Sequence, residues 1–203
     1  MINIDQIIRN NNSIRTKFKI KLGDPVPYTG RVASVREDLY DLFHELGFTH
    51  GAEVGVATGG NALRMFDRIA GLELICVDPY KKYERTGQAH ITRRKERAEK
   101  RLKTSNVIWM QIPSMEAVNQ VADRSLDFVY IDGVHLFDHV MMDIICWSQK
   151  VKSGGIVSGH DYYFSTTSQV PRAVDAYVLA HGIRNMYLTR DTDMPPSWFW
   201  VNE

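Results

Sequence analysis

GAEVGVATGGNALRMF, residues 51–66, is the stretch that decides the fold. A short apolar run leads into glycines at 55, 59 and 60, and a helical pattern follows at once. The spacing from Gly55 is G-x-x-x-G-G, which is not the G-x-G-x-x-G of dinucleotide enzymes, and no Gly-Lys-Ser/Thr follows. The pattern predicts a tight turn that lets a ligand lie over bare backbone, with Asn61 capping the next helix. Tight packing of a strand against a helix is the alternative explanation.

Outward from this stretch, strand-like and helix-like segments alternate five times. The periodicity predicts strands at 51–56, 72–78, 106–112, 126–132 and 154–161, and helices at 35–46, 61–70, 86–104, 114–122, 136–151 and 170–182. Such alternation indicates an α/β protein with helices on both faces of a mostly parallel sheet. The chain ends on two strand-like segments, 183–191 and 197–202, which are expected to pair antiparallel because parallel strands need a longer crossover.

Length and composition favour one soluble domain. The chain has 203 residues. Residues 1–30 show weak periodicity and finish with the turn-rich segment GDPVPYTG, residues 23–30. These residues are predicted to form an N-terminal cap on an α/β domain of residues 31–203. Two cysteines are too few for a disulfide scaffold and favour a cytoplasmic location. The N-terminus lacks the apolar core of a signal peptide, and no run approaches ~18 apolar residues, so no membrane span is expected.

The charge of the chain is unevenly distributed. The net charge is +1, but residues 81–103 hold ten Lys/Arg and three Glu. A solvated helix is the simpler explanation of such a run. A docking surface for an anionic substrate is the alternative.

Two further positions favour a cofactor site at the carboxyl ends of the strands, where α/β sheets bind their ligands. Asp78 ends the second strand, and a carboxylate there can accept both hydroxyls of a ribose. A helix cap or a turn residue before Pro79 is the alternative role for Asp78. Ser114 and Met115 follow the third strand, where they could flank a base.

Four segments in order resemble the successive motifs of class I S-adenosylmethionine-dependent methyltransferases: AEVGVATGGNAL, LICVDPY, DFVYIDGVHLFDHVMMDI and SGGIVSGHDYY. The likeness runs from about residue 50 to the end. It is closest to the small-molecule O-methyltransferase branch, which includes macrocin-type sugar methyltransferases and resembles the catechol type. It implies a Rossmann-like, seven-stranded sheet whose last strand is antiparallel. It also implies S-adenosylmethionine as the cofactor, which would explain a loop without phosphate machinery.

The resemblance assigns cofactor-binding residues by position. The loop would hold the methionine half of the cofactor, Asp78 would bind the ribose, and Ser114 and Met115 would lie near adenine. The full set of implied cofactor-binding residues is Glu53, Gly55, Val56, Ala57, Thr58, Gly59, Asn61, Asp78, Ser114, Met115 and Asp132.

The fourth and fifth strands end in YIDGVH and SGHDYY, which should bring Asp132 and Asp161 to one crevice. Two carboxylates suit a hard cation such as Mg²⁺, and His160 would add a nitrogen that favours Mn, Fe or Zn. Such a metal would lower the pKa of a substrate hydroxyl and orient its oxygen toward the sulfonium methyl. The resembled metal-dependent enzymes usually have a pair such as Asp-Asp or Asp-Asn where this chain has His160-Asp161. The alternative is that Asp132 binds the cofactor's amino group while Asp161 caps a loop.

His135 lies three residues after Asp132 and is a candidate general base. An unperturbed imidazole pKa of ~6.5 suits proton abstraction near neutrality. A histidine that merely begins the next helix is the alternative. Catalysis is therefore assigned to His135 and Asp132, and metal binding to Asp132, His160 and Asp161.

Three functions are open on the sequence alone. The leading hypothesis is an S-adenosylmethionine-dependent methyltransferase that acts on a hydroxyl of a small molecule, such as a sugar, with or without Mg²⁺ or Mn²⁺. A nucleic-acid methyltransferase that uses residues 81–103 is disfavoured by a pI near 7.8 and by the lack of an RNA-binding module before the core. A non-catalytic cofactor-binding protein is disfavoured because Asp78 and the loop glycines are present. The acceptor and the oligomeric state, a homo-oligomer included, are left open.

Overall fold

A computed structural model describes residues 2–20, 35–81, 87–163, 165, 168–189 and 195–203. The strands are β1 (His50–Val54), β2 (Glu73–Val77), β3 (Val107–Met110), β4 (Leu126–Ile131), β5 (Val151–Gly159), β6 (Met186–Leu188) and β7 (Trp198–Val201). The helices are α1 (Ile4–Lys17), α2 (Arg36–Glu45), α3 (Gly60–Arg68), α4 (Gln88–Arg101), α5 (Ser114–Ala117), α6 (Phe137–Ser148) and α7 (Val170–Ala180). Within these ranges, no helix combines the length and the apolar character needed to cross a membrane.

The seven strands form one sheet in the order β3-β2-β1-β4-β5-β7-β6. The first five strands run parallel, and β7 lies antiparallel to both β5 and β6. This confirms the predicted α/β class and the antiparallel last strand. The central strand β1 has β2 on one side and β4 on the other, so the chain reverses direction across the sheet there. Open α/β sheets bind ligands at such a switch point.

Apolar side chains cover both faces of the sheet, as a mostly parallel sheet requires. One face packs against α1, α2, α3 and α4 and includes Leu42, Phe43 and Met65, which are fully buried. The other face packs against α5, α6 and α7 and includes Ile144 and Trp147. Because successive strand residues point to opposite faces, Glu53 faces the first of these layers, with Tyr40 and Asn61, while Val54 packs in the second.

The N-terminal segment contains a helix that its weak periodicity did not predict. Asn3 caps α1 by accepting a hydrogen bond from the Gln6 backbone N–H at 3.1 Å. Asn10 is buried and donates to the carbonyl of Gly154, and Ile14 is buried in the first layer. Residues 21–30 of the predicted cap lie outside the described residues. The Asn-capped start was the available signal, because asparagine is a preferred N-cap residue.

Candidate active site

The glycine turn after β1 rests directly on the end of β4. Gly55 adopts φ +95°, and a Cβ built there would lie 2.0 Å from the carbonyl oxygen of Asp132. The Gly55 N–H donates to the carbonyl of Val77 at 2.8 Å, which ties the turn to β2 as well. Only glycine combines this backbone conformation with such a close approach. The turn therefore presents bare backbone at the carboxyl end of the sheet, as predicted.

Asp78 anchors the same turn from the end of β2. Its Oδ2 accepts the Ala57 N–H at 2.9 Å, and its Oδ1 accepts the Tyr80 N–H at 2.9 Å. Each carboxylate oxygen can accept a further hydrogen bond, so Asp78 retains capacity for the hydroxyls of a ribose. The turn role that was the alternative for Asp78 is thus also present.

A cavity of about 490 Å³ opens at this end of the sheet, where the loops after β1, β2 and β4 meet α5 and α6. That volume is within the range of small-molecule and cofactor sites. Of the predicted site residues, the cavity wall includes Gly55, Ala57, Asp78, Ser114, Met115 and Asp132. Sequence reasoning missed Arg94 on α4 and Asp138, His139 and Asp143 on α6, which also line it.

Asp143 forms a buried polar group at the Ser114 end of the cavity. The Ser114 hydroxyl donates to Asp143 Oδ1, and the Trp147 indole N–H donates to Ser114 Oγ at 2.8 Å. Burial raises the pKa of Asp143 to about 6, although the Ser114 hydrogen bond lowers it. A carboxylate in the apolar run MMDIICW was the available signal, since buried acids are rare unless they have partners.

Glu53 and Asn61 do not line the cavity, although both were predicted to bind the cofactor. Glu53 is fully buried on the opposite face of the sheet, where burial raises its pKa to about 8. Asn61 donates to Glu53 Oε1 at 2.8 Å and accepts hydrogen bonds from the Tyr40 hydroxyl and from Arg36. The prediction that Asn61 caps α3 is wrong, because the N-cap is Gly59 in a left-handed conformation. The two residues instead connect β1 to the start of α3 on the face of the sheet opposite Val54, and so support the glycine turn between them.

The other predicted loop residues, Val56, Thr58 and Gly59, are also absent from the cavity wall. Val56 is buried in the first layer, and Gly59 packs against Ala98 of α4. Arg101 donates to the Thr58 carbonyl at 2.9 Å and to the Thr58 hydroxyl at 2.8 Å. One arginine of the basic segment is thereby committed to holding the turn. Residues 82–86 of that segment lie outside the described residues.

The ends of β4 and β5 bring three predicted residues together. His135 Nε2 lies 2.8 Å from Asp161 Oδ2 and 3.7 Å from Asp132 Oδ1. One ligand atom from each side chain lies within 4.8 Å of the others. Asp132 belongs both to this cluster and to the cavity wall. We call these three residues, the two carboxylates Asp132 and Asp161 with the imidazole of His135, the carboxylate cluster.

The electrostatics of the cluster change the role predicted for His135. The carboxylates of Asp132 and Asp161 raise the pKa of His135 to about 10. Burial alone would raise the pKa of Asp161, but hydrogen bonds from His135 and His160 lower it below its ordinary value. The premise of an imidazole with an ordinary pKa is therefore wrong, because in this arrangement His135 is a cation near neutrality.

His160 lies beside the carboxylate cluster but outside it, although it was predicted as a metal ligand. Its Nδ1 lies 3.5 Å from Asp161 Oδ1 and 3.8 Å from Asp132 Oδ1. Its Nε2 forms a hydrogen bond with the guanidinium of Arg36. The nitrogen donor that completes the set with the two carboxylates is His135, so the predicted His160 is replaced by His135 in the observed geometry.

The seven-stranded sheet with its antiparallel last strand, and a cavity over the glycine turn, define the class I methyltransferase fold. Solved structures that share it include the O-methyltransferase from Bacillus cereus in complex with SAH and cofactor-bound Rv0187 from MTB. Each is 12% identical to this chain, with TM-scores of 0.60 and 0.61 respectively. The first match covers 100% of this chain and 93% of the other, and the second covers 99% and 91%.

Sequence comparison identifies the family. The chain matches the family model described as methyltransferase domain over residues 52–162, more than half of its length. No curated protein sequence gives a significant match. The chain therefore belongs to the methyltransferase domain family, as the resemblance of its motifs to S-adenosylmethionine-dependent enzymes implied.

Proposed function

We propose that the protein transfers the methyl group of S-adenosylmethionine to a hydroxyl oxygen of a small acceptor, such as a sugar, with help from a divalent ion. The position of Asp132 carries this proposal. Asp132 lines the cavity that also contains Asp78 and Ser114, and it belongs to the carboxylate cluster as well. A cofactor site and a group of proton and metal ligands thus share one side chain.

The cavity wall supports S-adenosylmethionine as the ligand. Gly55 supplies bare backbone beside Asp132, where the methionine half would lie. Asp78 has hydrogen-bonding capacity for ribose, and Ser114 and Met115 line the position proposed for adenine. The Bacillus cereus structure contains SAH, the demethylated form of the cofactor that we propose for this chain.

The donor set of the carboxylate cluster fits a divalent ion. Two carboxylates and one imidazole lie close enough for a single ion to contact all three. Oxygen donors suit Mg²⁺, and the imidazole extends the choice to Mn²⁺. When bound, such an ion would lower the pKa of the acceptor hydroxyl and fix its oxygen in place.

The chain's own residues position the reactants and receive the proton. In the transfer, an O–C bond forms as the S–C bond breaks, and the hydroxyl proton must leave. Asp161 Oδ2 is held by His135, whereas Asp132 Oδ1 is farther from that ring and has the more exposed side chain, 22% against 12%. Asp132 is therefore the proton acceptor that we propose. With the ion bound, the metal charge would replace the proton on His135, because an imidazole that ligates a metal is neutral. Holding oxygen and methyl at ~3 Å supplies most of the remaining rate enhancement.

The test is methyl transfer from labelled S-adenosylmethionine to a panel of sugars and catechols. We expect EDTA to abolish transfer, Mg²⁺ or Mn²⁺ to restore it, and the Kd for S-adenosylhomocysteine to stay unchanged throughout. Asp78→Ala should weaken that Kd by ~1–3 kcal/mol, the cost of unpaired hydroxyls in a closed site. Direct binding of Mn²⁺, measured by electron paramagnetic resonance, should weaken in Asp132→Asn. It should persist in Asp138→Asn, which changes a cavity-lining carboxylate outside the cluster.

Each part of the proposal has its own contradicting result. Methyl transfer that continues in EDTA would exclude a role for the metal. Unaltered cofactor binding in Asp78→Ala would exclude that residue from the cofactor site. Transfer to RNA and to no small hydroxyl compound supports the nucleic-acid alternative. Binding of NAD without binding of S-adenosylmethionine overturns the proposal as a whole.

A further inference from the structure

Arg36, the first residue of α2, joins two parts of the site that are far apart in the sequence. One guanidinium nitrogen donates to Asn61 Oδ1 at 3.2 Å, and Asn61 lies in the first turn of α3, directly after the glycine turn. Another guanidinium nitrogen contacts Nε2 of His160, which is buried directly after β5. Arg36 therefore bridges the helix that follows the cofactor turn and the strand end that carries Asp161.

The chemistry of arginine decides the state of the His160 ring. A guanidinium has only N–H donors and stays protonated in proteins. Nε2 of His160 must therefore offer its lone pair to Arg36, because an N–H there would face another N–H. The proton of the neutral ring then lies on Nδ1. Nδ1 faces Asp161 Oδ1 at 3.5 Å and Asp132 Oδ1 at 3.8 Å, so the ring presents its N–H to the two carboxylates.

We propose that Arg36 is a positioning residue that fixes the Nδ1–H tautomer of His160 and, through it, the Asp132–Asp161 pair. His160 then acts as a hydrogen-bond donor within the site and is neither a base nor a metal ligand. The same arginine holds Asn61, so a shift of the glycine turn is transmitted to the carboxylates. The tautomer depends only on contacts in this chain, whereas its effect on rate rests on the proposed function.

Nitrogen-15 NMR of histidine-labelled protein at neutral pH tests the tautomer directly. The chain has seven histidines, and the His160 signals are assigned as those missing from His160→Gln. We expect wild-type His160 to be the neutral Nδ1–H tautomer. Arg36→Met should shift it to the Nε2–H tautomer or to a mixture. Arg64→Met is the matched control, because it breaks another α2–α3 contact, the 3.2 Å ion pair with Glu37, and should leave the His160 signals unchanged.

The wild-type spectrum decides the inference even if Arg36→Met does not fold. An Nε2–H tautomer or a charged ring in the wild type overturns it, as does an unchanged tautomer in folded Arg36→Met. Once an acceptor is known, Arg36→Met should lower kcat ~10–100-fold, and the same change in a His160→Asn background should have no further effect. Additive losses would overturn the coupling. An Nδ1–H tautomer without methyl transfer would refute only the proposed function, and transfer with the wrong tautomer would refute only the positioning role.

Discussion

Replacing Gly55 by alanine tests whether the cofactor turn depends on contact between two backbones. The added Cβ would lie 2.0 Å from the carbonyl oxygen of Asp132, and real Cβ contacts essentially never fall below 3.0 Å. The ends of β1 and β4 must therefore separate by about 1 Å, since a backbone carbonyl cannot rotate aside as a side chain does. Alanine would also have to adopt φ +95°, which L side chains rarely do.

The expected cost follows from these two effects. A non-glycine residue in this region costs ~1–3 kcal/mol, and overpacking adds ~1–3 kcal/mol. A chain of about 200 residues loses ~2–4 °C of Tm per kcal/mol, so the Tm should fall by roughly 5–20 °C. The separation also moves Asp132 relative to the turn, and misplacement of about 1 Å can cost ~10²-fold in rate.

Differential scanning calorimetry and titration with S-adenosylhomocysteine measure the two effects. Gly60→Ala is the matched control in the same turn. Gly60 begins α3 without a left-handed φ, and its added Cβ would meet two side chains and no backbone: the movable end of Arg101 at 3.4 Å and the Thr58 hydroxyl at 3.9 Å. We expect that control to stay within ~1 kcal/mol of the wild type, because alanine favours a helix. If Gly55→Ala melts and binds the ligand as Gly60→Ala does, the backbone contact is not required and the reasoning fails.

Three further changes have defined outcomes. Asp143→Asn should raise the free energy of unfolding at pH 8 by up to ~3 kcal/mol and leave it unchanged near pH 4, because a pKa raised from 3.8 to about 6 makes ionisation oppose folding as the pH rises; equal effects in melts at both pH values would contradict this. Asp127→Asn should cost ~1–3 kcal/mol at pH 7 and progressively less in acid, because hydrogen bonds from Lys152 and two backbone N–H groups outweigh burial and lower the pKa of Asp127; urea unfolding at pH 7 and pH 3 measures the difference, and a pH-independent loss would count against it. Gln169→Ala should lower kcat at least ~10-fold, while Gln169→Glu retains most activity. The Gln169 N–H donates to the His135 carbonyl at 2.9 Å, and Gln169 Oε1 accepts the Phe137 N–H at 2.8 Å, so the side chain helps to hold the segment that carries His135. Steady-state kinetics that find both variants near wild type would exclude this role.

The sequence predicted the sheet because strand and helix periods are local properties of the chain. All seven strands and the helices α2 to α7 lie within the predicted segments or overlap them closely. The predicted strand 51–56 ends early, at Val54, because the left-handed Gly55 breaks the extended backbone. Helix α1 was missed because its apolar residues are few and two of them, Ile4 and Ile8, are exposed, so no continuous apolar stripe marks it.

The sequence predicted those site residues whose position depends only on where a strand ends. Gly55, Asp78, Ser114 and Asp132 all follow one of the parallel strands β1 to β4, and all line the cavity. Side-chain direction was the part that failed. Glu53 alternates with Val54 and so points to the opposite face, a consequence of the two-residue strand period that could have been applied at once. The contacts of Arg36, Arg101 and Gln169 join elements distant in the sequence, and no local pattern encodes them.

The backbone at the end of β5 explains how two adjacent residues reach one site. In an extended strand, His160 and Asp161 would point to opposite faces of the sheet. Asp161 instead adopts φ +60°, a conformation that aspartate tolerates better than most residues. The turn brings its carboxylate to within 3.5 Å of His160 Nδ1 and 2.8 Å of His135 Nε2. Left-handed backbone in a residue other than glycine costs ~1–3 kcal/mol and persists where its surroundings hold it. Here His135 and His160 contact the two carboxylate oxygens of Asp161 and so help to hold its backbone in this conformation. The shape of the carboxylate cluster therefore depends on both histidines.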